Sequence, residues 1–188
     1  MNIEKKIIQA HQAYESKQFE KAEKLLTQIL LESPDEAVVY ALRALTFLSL
    51  GEAERTIMDL TMAISLAPQE VSYYLQRGNV FMMFNQFKLA LADWSSIIRL
   101  DVQNIDAYLS RAVCYTALND FKHALADTNT AIRLAPQDGN GYHVRAGIYF
   151  DKNKFAESVA DCDKAIELGY KDATVYSTRG EAYMCLKE

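Results

Sequence analysis

The sequence predicts an all-α solenoid made of antiparallel helix pairs. Three observations predict it. First, key residues recur every 34 positions: Tyr40, Tyr74, Tyr108, Tyr142 and Tyr176 share one phase, and Arg43, Arg77, Arg111, Arg145 and Arg179 share another. The three prolines, Pro34, Pro68 and Pro136, also fall at a single phase of this period. Second, one period, Ile105 to Asp138, reads as two helices with apolar stripes joined by a turn. Third, Gly51, Asn85, Asn119 and Asn153 stand at one phase between the two helices. Glycine and asparagine tolerate the left-handed backbone that stops a helix. A fixed period of this length marks a stacked array in which each unit buries its apolar face on its neighbours.

Phasing from the prolines gives units 3–36, 37–70, 71–104, 105–138 and 139–172, with a partial unit 173–188, as a single array over 1–188. Each unit holds a first helix and a second helix of about fourteen residues, roughly 21 Å long. The first unit is atypical: Lys6 and Gln9 occupy the tyrosine and arginine phases, as suits a terminal cap with one face in water. Second helices open with Phe19, Phe87, Phe121 and Phe155, and place Ala22, Ala90 and Ala124 three residues later. Small residues let the two helices approach, and aromatics fill the wider gaps. Trp94, the only tryptophan, falls where a large core residue is expected.

Composition narrows the class. Half of the residues are hydrophobic and about a quarter are charged, as in a folded globular chain. A net charge of −5 disfavours nucleic acid as a partner. No apolar run is long enough to span a bilayer, and the N-terminus turns polar too soon for a secretory signal. A membrane is therefore not an expected partner, and a cytoplasmic location is expected. Cys114, Cys162 and Cys185 form no C-x-x-C pair, and the first two read as small apolar fillers. Phosphate-binding glycine loops and the nucleophile elbow are absent from the sequence, and His11, His123 and His143 belong to three different units. No enzymatic activity, metal or cofactor is expected.

Another signal is a pair of phases. Arg43, Arg77, Arg111 and Arg145 precede Asp59, Asp93, Asp127 and Asp161 by 16 positions, and the first unit, with Gln9 and Leu25, lacks both. Folding the helices back at the turn sets these phases opposite each other. A repeated Arg–Asp ion pair is expected, with an architectural role.

The pattern Tyr108-x2-Arg111-Ala112-x2-Tyr115, Ala124-x3-Thr128, Pro136 resembles the tetratricopeptide repeat, W-x2-L-G-x2-Y, A-x3-F, P, and the resemblance covers nearly all 188 residues. It implies a right-handed superhelical solenoid. It also implies a non-enzymatic scaffold that holds a peptide or partner protein in the concave groove formed by the first helices. Carried over by phase, the candidate groove residues are Leu75, Asn79, Met82, Met83, Asp106, Leu109, Val113, His143, Phe150 and Asp151. Two other readings stand beside this one: a structural self-assembly module, and the repeat part of a larger protein whose catalytic region is outside this chain.

Some members of the family grip acidic chaperone tails with a Lys, Asn and Arg clamp. Here Leu75 replaces the first lysine beside Asn79, and Ser110, Asn140 and Val144 supply no cation. The inward phases instead carry Glu4, Glu15, Asp106, Asp151 and Glu181, with no lysine or arginine. The expected ligand is therefore an apolar segment with basic residues. The helix at 173–186 exposes Tyr176, Gly180 and Tyr183 with no second helix after it, so residues 173–188 are also a candidate self-association surface.

Overall fold

The computed structural model describes residues 3–187. It contains α1 (Ile3–Glu15), α2 (Phe19–Glu32), α3 (Ala37–Ser49), α4 (Ala53–Leu66), α5 (Val71–Met83), α6 (Phe87–Leu100), α7 (Ile105–Ala117), α8 (Phe121–Leu134), α9 (Gly139–Asp151), α10 (Phe155–Glu167) and α11 (Ala173–Cys185). Among the described residues there is no strand. The fold is an all-α helical solenoid repeat. Its first helices start 34 residues apart, at Ile3, Ala37, Val71, Ile105, Gly139 and Ala173. The helices fall into two compact units divided between Asn85 and Gln86, so that α1–α5 form one and α6–α11 the other.

Each core cluster joins three consecutive helices. In the first unit, Ala10 of α1 meets Leu26, Ile29 and Leu30 of α2 and Val39 and Leu42 of α3. Ala44 of α3, Leu60 of α4 and Val80 of α5 repeat the arrangement. In the second unit, Ala112, Ala124 and Ile148 join α7, α8 and α9, and Ala146, Cys162, Ala165 and Val175 join α9, α10 and α11. An alanine at the crossing brings two helices close, and the next first helix seals the joint. Trp94 is 2% exposed, which puts it in the core as expected. Cys114 and Cys162 are fully buried, and burial pushes both thiols up to about 11, so they act as apolar fillers.

The turns carry the expected backbone. Gly51, Asn85, Asn119 and Asn153 have φ of 79°, 57°, 60° and 57°. The residue after three of these turns bonds back to the first helix: Glu52 N–H to Phe47 O, Asp120 N–H to Tyr115 O and Lys154 N–H to Tyr149 O, each at 2.8 Å. These bonds satisfy carbonyls that the helix end leaves open. Lys17 occupies the same phase with φ 58°, and Gln18 N–H makes the matching bond to Ala13 O at 2.8 Å. Lys17 thus adopts a left-handed conformation that side chains with a Cβ disfavour.

The fifth repeat ends differently. Helix α10 stops at Glu167, Gly169 turns with φ 84°, and Tyr170 stands at the proline phase. A Cβ on Gly139 would lie 2.7 Å from Tyr170 Cβ and 2.8 Å from the Ala165 carbonyl oxygen. Glycine at 139 is what lets α9 start against this tyrosine.

The arginine phase ties successive helices together. Nε and Nη2 of Arg43 donate to Asp59 Oδ2 and Oδ1 at 2.7 and 2.8 Å. Arg111 grips Asp127, and Arg145 grips Asp161, with the same atoms and the same distances. Each of these three expected pairs lies inside a single compact unit, the first in one and the other two in the second, and all three form. The third arm, Nη1, reaches the second helix of the preceding repeat. Arg43 donates to Thr27 at 3.1 Å, Arg77 to Thr61 at 2.8 Å, Arg111 to Ser95 at 3.1 Å and Arg145 to Asn129 at 2.7 Å. Rings three residues before and four after flank the guanidinium, with Tyr108 and Tyr115 centred 5.8 and 5.9 Å from Arg111 Cζ. The carboxylates raise the pKa of Arg111 and Arg145 above the ordinary arginine value.

The first pair lacks this device. Lys6, at the tyrosine phase, bonds Glu32 instead, at 2.6 Å. At that phase Tyr74 and Tyr142 donate to the Pro68 and Pro136 carbonyl oxygens at 3.1 and 3.5 Å.

Two stability changes are expected. Asp127 is 6% exposed, so Asp127→Ala strands the Arg111 guanidinium and should cost about 3–5 kcal/mol, read from urea unfolding of the second unit. Lys17→Gly relieves the left-handed turn and should raise stability by about 0.5–1 kcal/mol, read from urea unfolding of the first unit.

Candidate binding surface

Phases 7, 8, 11 and 15 of the repeat, read in first-unit numbers, recur among the first-helix residues that line concavities. In the first compact unit, Ile7, Ile8 and His11 of α1, Val38, Ala41 and Leu45 of α3, and Tyr73 and Gln76 of α5 line a concavity of about 660 Å³. Ile8 and Val38 are 55% and 51% exposed, although both are aliphatic. A smaller recess of about 180 Å³ adjoins it, where Asn79 and Met83 of α5 face Leu45 and Leu48 of α3. The amide oxygen of Gln76 is buried at this place without a hydrogen-bond partner.

In the second compact unit, α7 and α9 form a recess of about 380 Å³. Val113, Thr116 and Ala117 make one wall, His143 and Val144 the other, with Gly147, Ile148 and Asp151 further along α9. A Cβ on Gly147 would meet no atom within 4 Å, so this glycine leaves open space. No lysine or arginine lines any of these three concavities. Partial desolvation raises the Asp151 carboxyl above the ordinary aspartate value.

The expected groove residues divide on these grounds. Val113, His143 and Asp151 line one recess, and Asn79 and Met83 line another. Leu75 is 40% exposed on α5, Met82 is half-buried, and Asp106 is exposed in the first turn of α7. Leu109 is 4% exposed and belongs to the core, although Leu75 at the same phase is 40% exposed. Phe150 is half-buried and packs edge-on against Phe155 across the α9–α10 turn, ring centres 5.5 Å apart. Sequence reading missed Ile8, Val38, Gln76 and Gly147. Gly147 shares the phase of Leu45, Asn79 and Val113, so the period itself was the signal.

His143 is a wall with a second role. Its ring stacks on Tyr170, centres 4.9 Å apart at 27°, and Nε2 lies 3.1 Å from Thr174 Oγ1 at the start of α11. Burial lowers its pKa, against the opposing pull of Asp172.

Comparison with known proteins agrees with this architecture. The tetratricopeptide repeat family matches residues 105–138 and 140–168. A tetratricopeptide repeat protein from Parabacteroides merdae superposes with a TM-score of 0.87 at 16% identity, covering 98% of this chain and 73% of that one. YrrB, described as a TPR protein with an unusual peptide-binding site, gives 0.79 at 15% identity over 93% of this chain and 90% of that one. MamA from Desulfovibrio magneticus also gives 0.79 at 15% identity, over 88% and 94% of the two chains. No curated protein shows significant sequence similarity to this chain. Residues 105–138 and 140–168 thus match the tetratricopeptide repeat, and the chain shares the fold of tetratricopeptide repeat proteins. Among the described residues no helix is long and apolar enough to cross a membrane.

The His143 geometry gives a pH dependence. Folding holds the imidazole neutral, with a pKa below the unfolded value near 6.5. Its contribution is fully present above about pH 6.5 and is lost as pH falls through the folded pKa. Protection of the α11 amides, taken relative to the intrinsic exchange rate at each pH, should therefore fall between pH 7.5 and 5.5, and His143→Asn should flatten that change.

Proposed function

We propose that the chain is a non-enzymatic scaffold that holds a peptide or partner segment along the exposed faces of its first helices. The ligand is apolar, with basic residues. One observation carries this reading: the concavities on those faces are lined by exposed aliphatic side chains and an aspartate, with no lysine or arginine. The chain has 20 lysines and arginines in all, so their exclusion from these walls is selective. A concave surface of one charge sign concentrates ligands of the opposite sign.

Apolar anchors would meet Ile8, Val38 and Leu45 in the first unit, with Leu75, Asn79, Met82 and Met83 on the neighbouring face of α5. Flexible methionines suit a surface that adapts to its ligand. A lysine or arginine of the ligand would sit against Asp151, beside Val113, with Asp106 exposed at the start of the same helix wall. Asp151 would regain, from a bound cation, part of the solvation it loses in the recess. YrrB, a repeat protein described as having an unusual peptide-binding site, is consistent with this use of the fold.

Gly147 provides the test. Gly147→Arg fills open space in a helix and places a cation beside Asp151, so the protein should fold normally. On a peptide array the unaltered chain should select apolar peptides with lysine or arginine. Gly147→Arg, and separately Asp106→Asn with Asp151→Asn, should weaken that selection several-fold. Selection of peptides rich in glutamate or aspartate, or basic binding untouched by both variants, would contradict the reading.

A further inference from the structure

Helices α6 and α8 carry the same outward row of side chains. Lys88, Ala92 and Arg99 on α6 are repeated by Lys122, Ala126 and Arg133 on α8, and all six are exposed. The helical period keeps each row on one face. The only acids on the two helices, Asp93 and Asp127, are 1% and 6% exposed. Arg111 holds the helices beside each other, with one arm on Ser95 of α6 and two on Asp127 of α8. Four cations therefore mark the corners of one surface, about 16 Å apart along the helices. Among the described residues none of the four makes an ion pair, whereas Arg55 of α4 and Lys164 of α10 are paired with glutamates. The nearby acids are engaged: Asp120 holds the His123 ring at 2.7 Å, and Asp101 takes the Gln103 N–H at 3.0 Å.

The two lysines also stand where a helix disfavours them. Each is the second residue of its helix, at the positive end of the macrodipole. At the same phase α2 and α4 carry Glu20 and Glu54, which suit that end. The exposure of this face does not come from where the sequence begins or ends. An array adds repeats at its two ends, and α6 and α8 belong to the third and fourth helix pairs. Their outward phases enter none of the core clusters.

We propose that the outward face of α6 and α8 docks an α-helix of a partner protein, with acidic residues at both ends of a three-turn stretch and small residues between. One acidic end meets Lys88 and Lys122, and the other meets Arg99 and Arg133. Ala92 and Ala126 keep the middle low, so a helix backbone can approach closely. Leu89, 52% exposed beside Lys88, adds an apolar contact. An anionic membrane fits less well, because Leu89 is the only large apolar side chain exposed on the two helices among the described residues. A nucleic-acid duplex fits less well, because the net charge of −5 opposes it. A second copy offers no acid-only helix: the acids of α2, α4 and α10 are interleaved with Lys21, Lys24, Arg55 and Lys164. No residue of α6 or α8 lines the three concavities. The target is a folded helix, which short array peptides do not form, so this site stands apart from the peptide reading above.

The probe is a labelled, helix-stabilised peptide with paired glutamates 11 positions apart, the spacing of Lys88 and Arg99, and alanines between. It is titrated with the full chain by fluorescence anisotropy, beside an isomer whose glutamates are all central. Saturable binding is expected, about fivefold tighter for the end-charged peptide and weaker as salt rises. Lys88→Glu with Lys122→Glu gives α6 and α8 the charge that α2 and α4 carry at this phase. This pair should weaken binding about tenfold while the urea midpoint holds or rises. Arg99→Gln with Arg133→Gln should weaken it as well, and Gly147→Arg should leave it unchanged. Absence of binding, equal affinity for the two isomers, or full binding in both double variants would each overturn the proposal. Loss of binding in Gly147→Arg would do the same, as would tighter binding of the same face to a DNA duplex or to phosphatidylserine vesicles.

Discussion

The frame of this protein rests on keeping an arginine charge between packed helices. A buried guanidinium is tolerated only when its donors are satisfied and its plane is well packed. Here the demand is met from two helices at once. An aspartate 16 residues later takes two arms, and a polar side chain 16 residues earlier takes the third. Aromatic rings three residues before and four after close the two faces. One largely enclosed cation thus sets the chemistry required at four other phases. It also fixes the angle at which the second helix returns and the seat of the next first helix. The alanines at the crossings follow from the same constraint, because the fork reaches both partners only if the helices approach closely.

Much of this was legible in the sequence, for a physical reason. The arginine, its aspartate and the turn asparagine each admit few substitutes, so the same letters recur at fixed intervals. The pairing of Arg111 with Asp127 and the left-handed turns at Asn119 and Asn153 could be read directly. The third arm of the fork was not legible. Its acceptors are Thr27, Thr61, Ser95, Asn129 and Asp163, and any oxygen of the right reach will serve. Only the chemical class repeats there, and a class is harder to see than a letter.

The binding surface was read less well because its demands are weaker. Leu109 and Val113 lie one helical turn apart, yet one is core and the other lines a recess. Periodicity places both on the inner side of α7 without separating them. Separating them takes the packing of the next repeat, in which Gly141 brings α9 close against α8: a Cβ there would fall 2.9 Å from Ile132 Cγ1. Tyr170 was a visible irregularity, standing where three other repeats place proline, but its stacking on His143 could not be inferred from position alone.

The phases that line the recesses are disjoint from the phases that hold the arginine. Positions 8, 38, 45, 79, 113, 147 and 151 face outward and carry no bond of the fork, whereas 43, 59, 111, 127, 145 and 161 carry the frame. The chain therefore behaves like type set in a fixed forme: the letters that meet a ligand can be exchanged while the blocks that lock the page stay clamped. A new specificity in this architecture requires rewriting a few outward sites, with no renegotiation of how the helices stack.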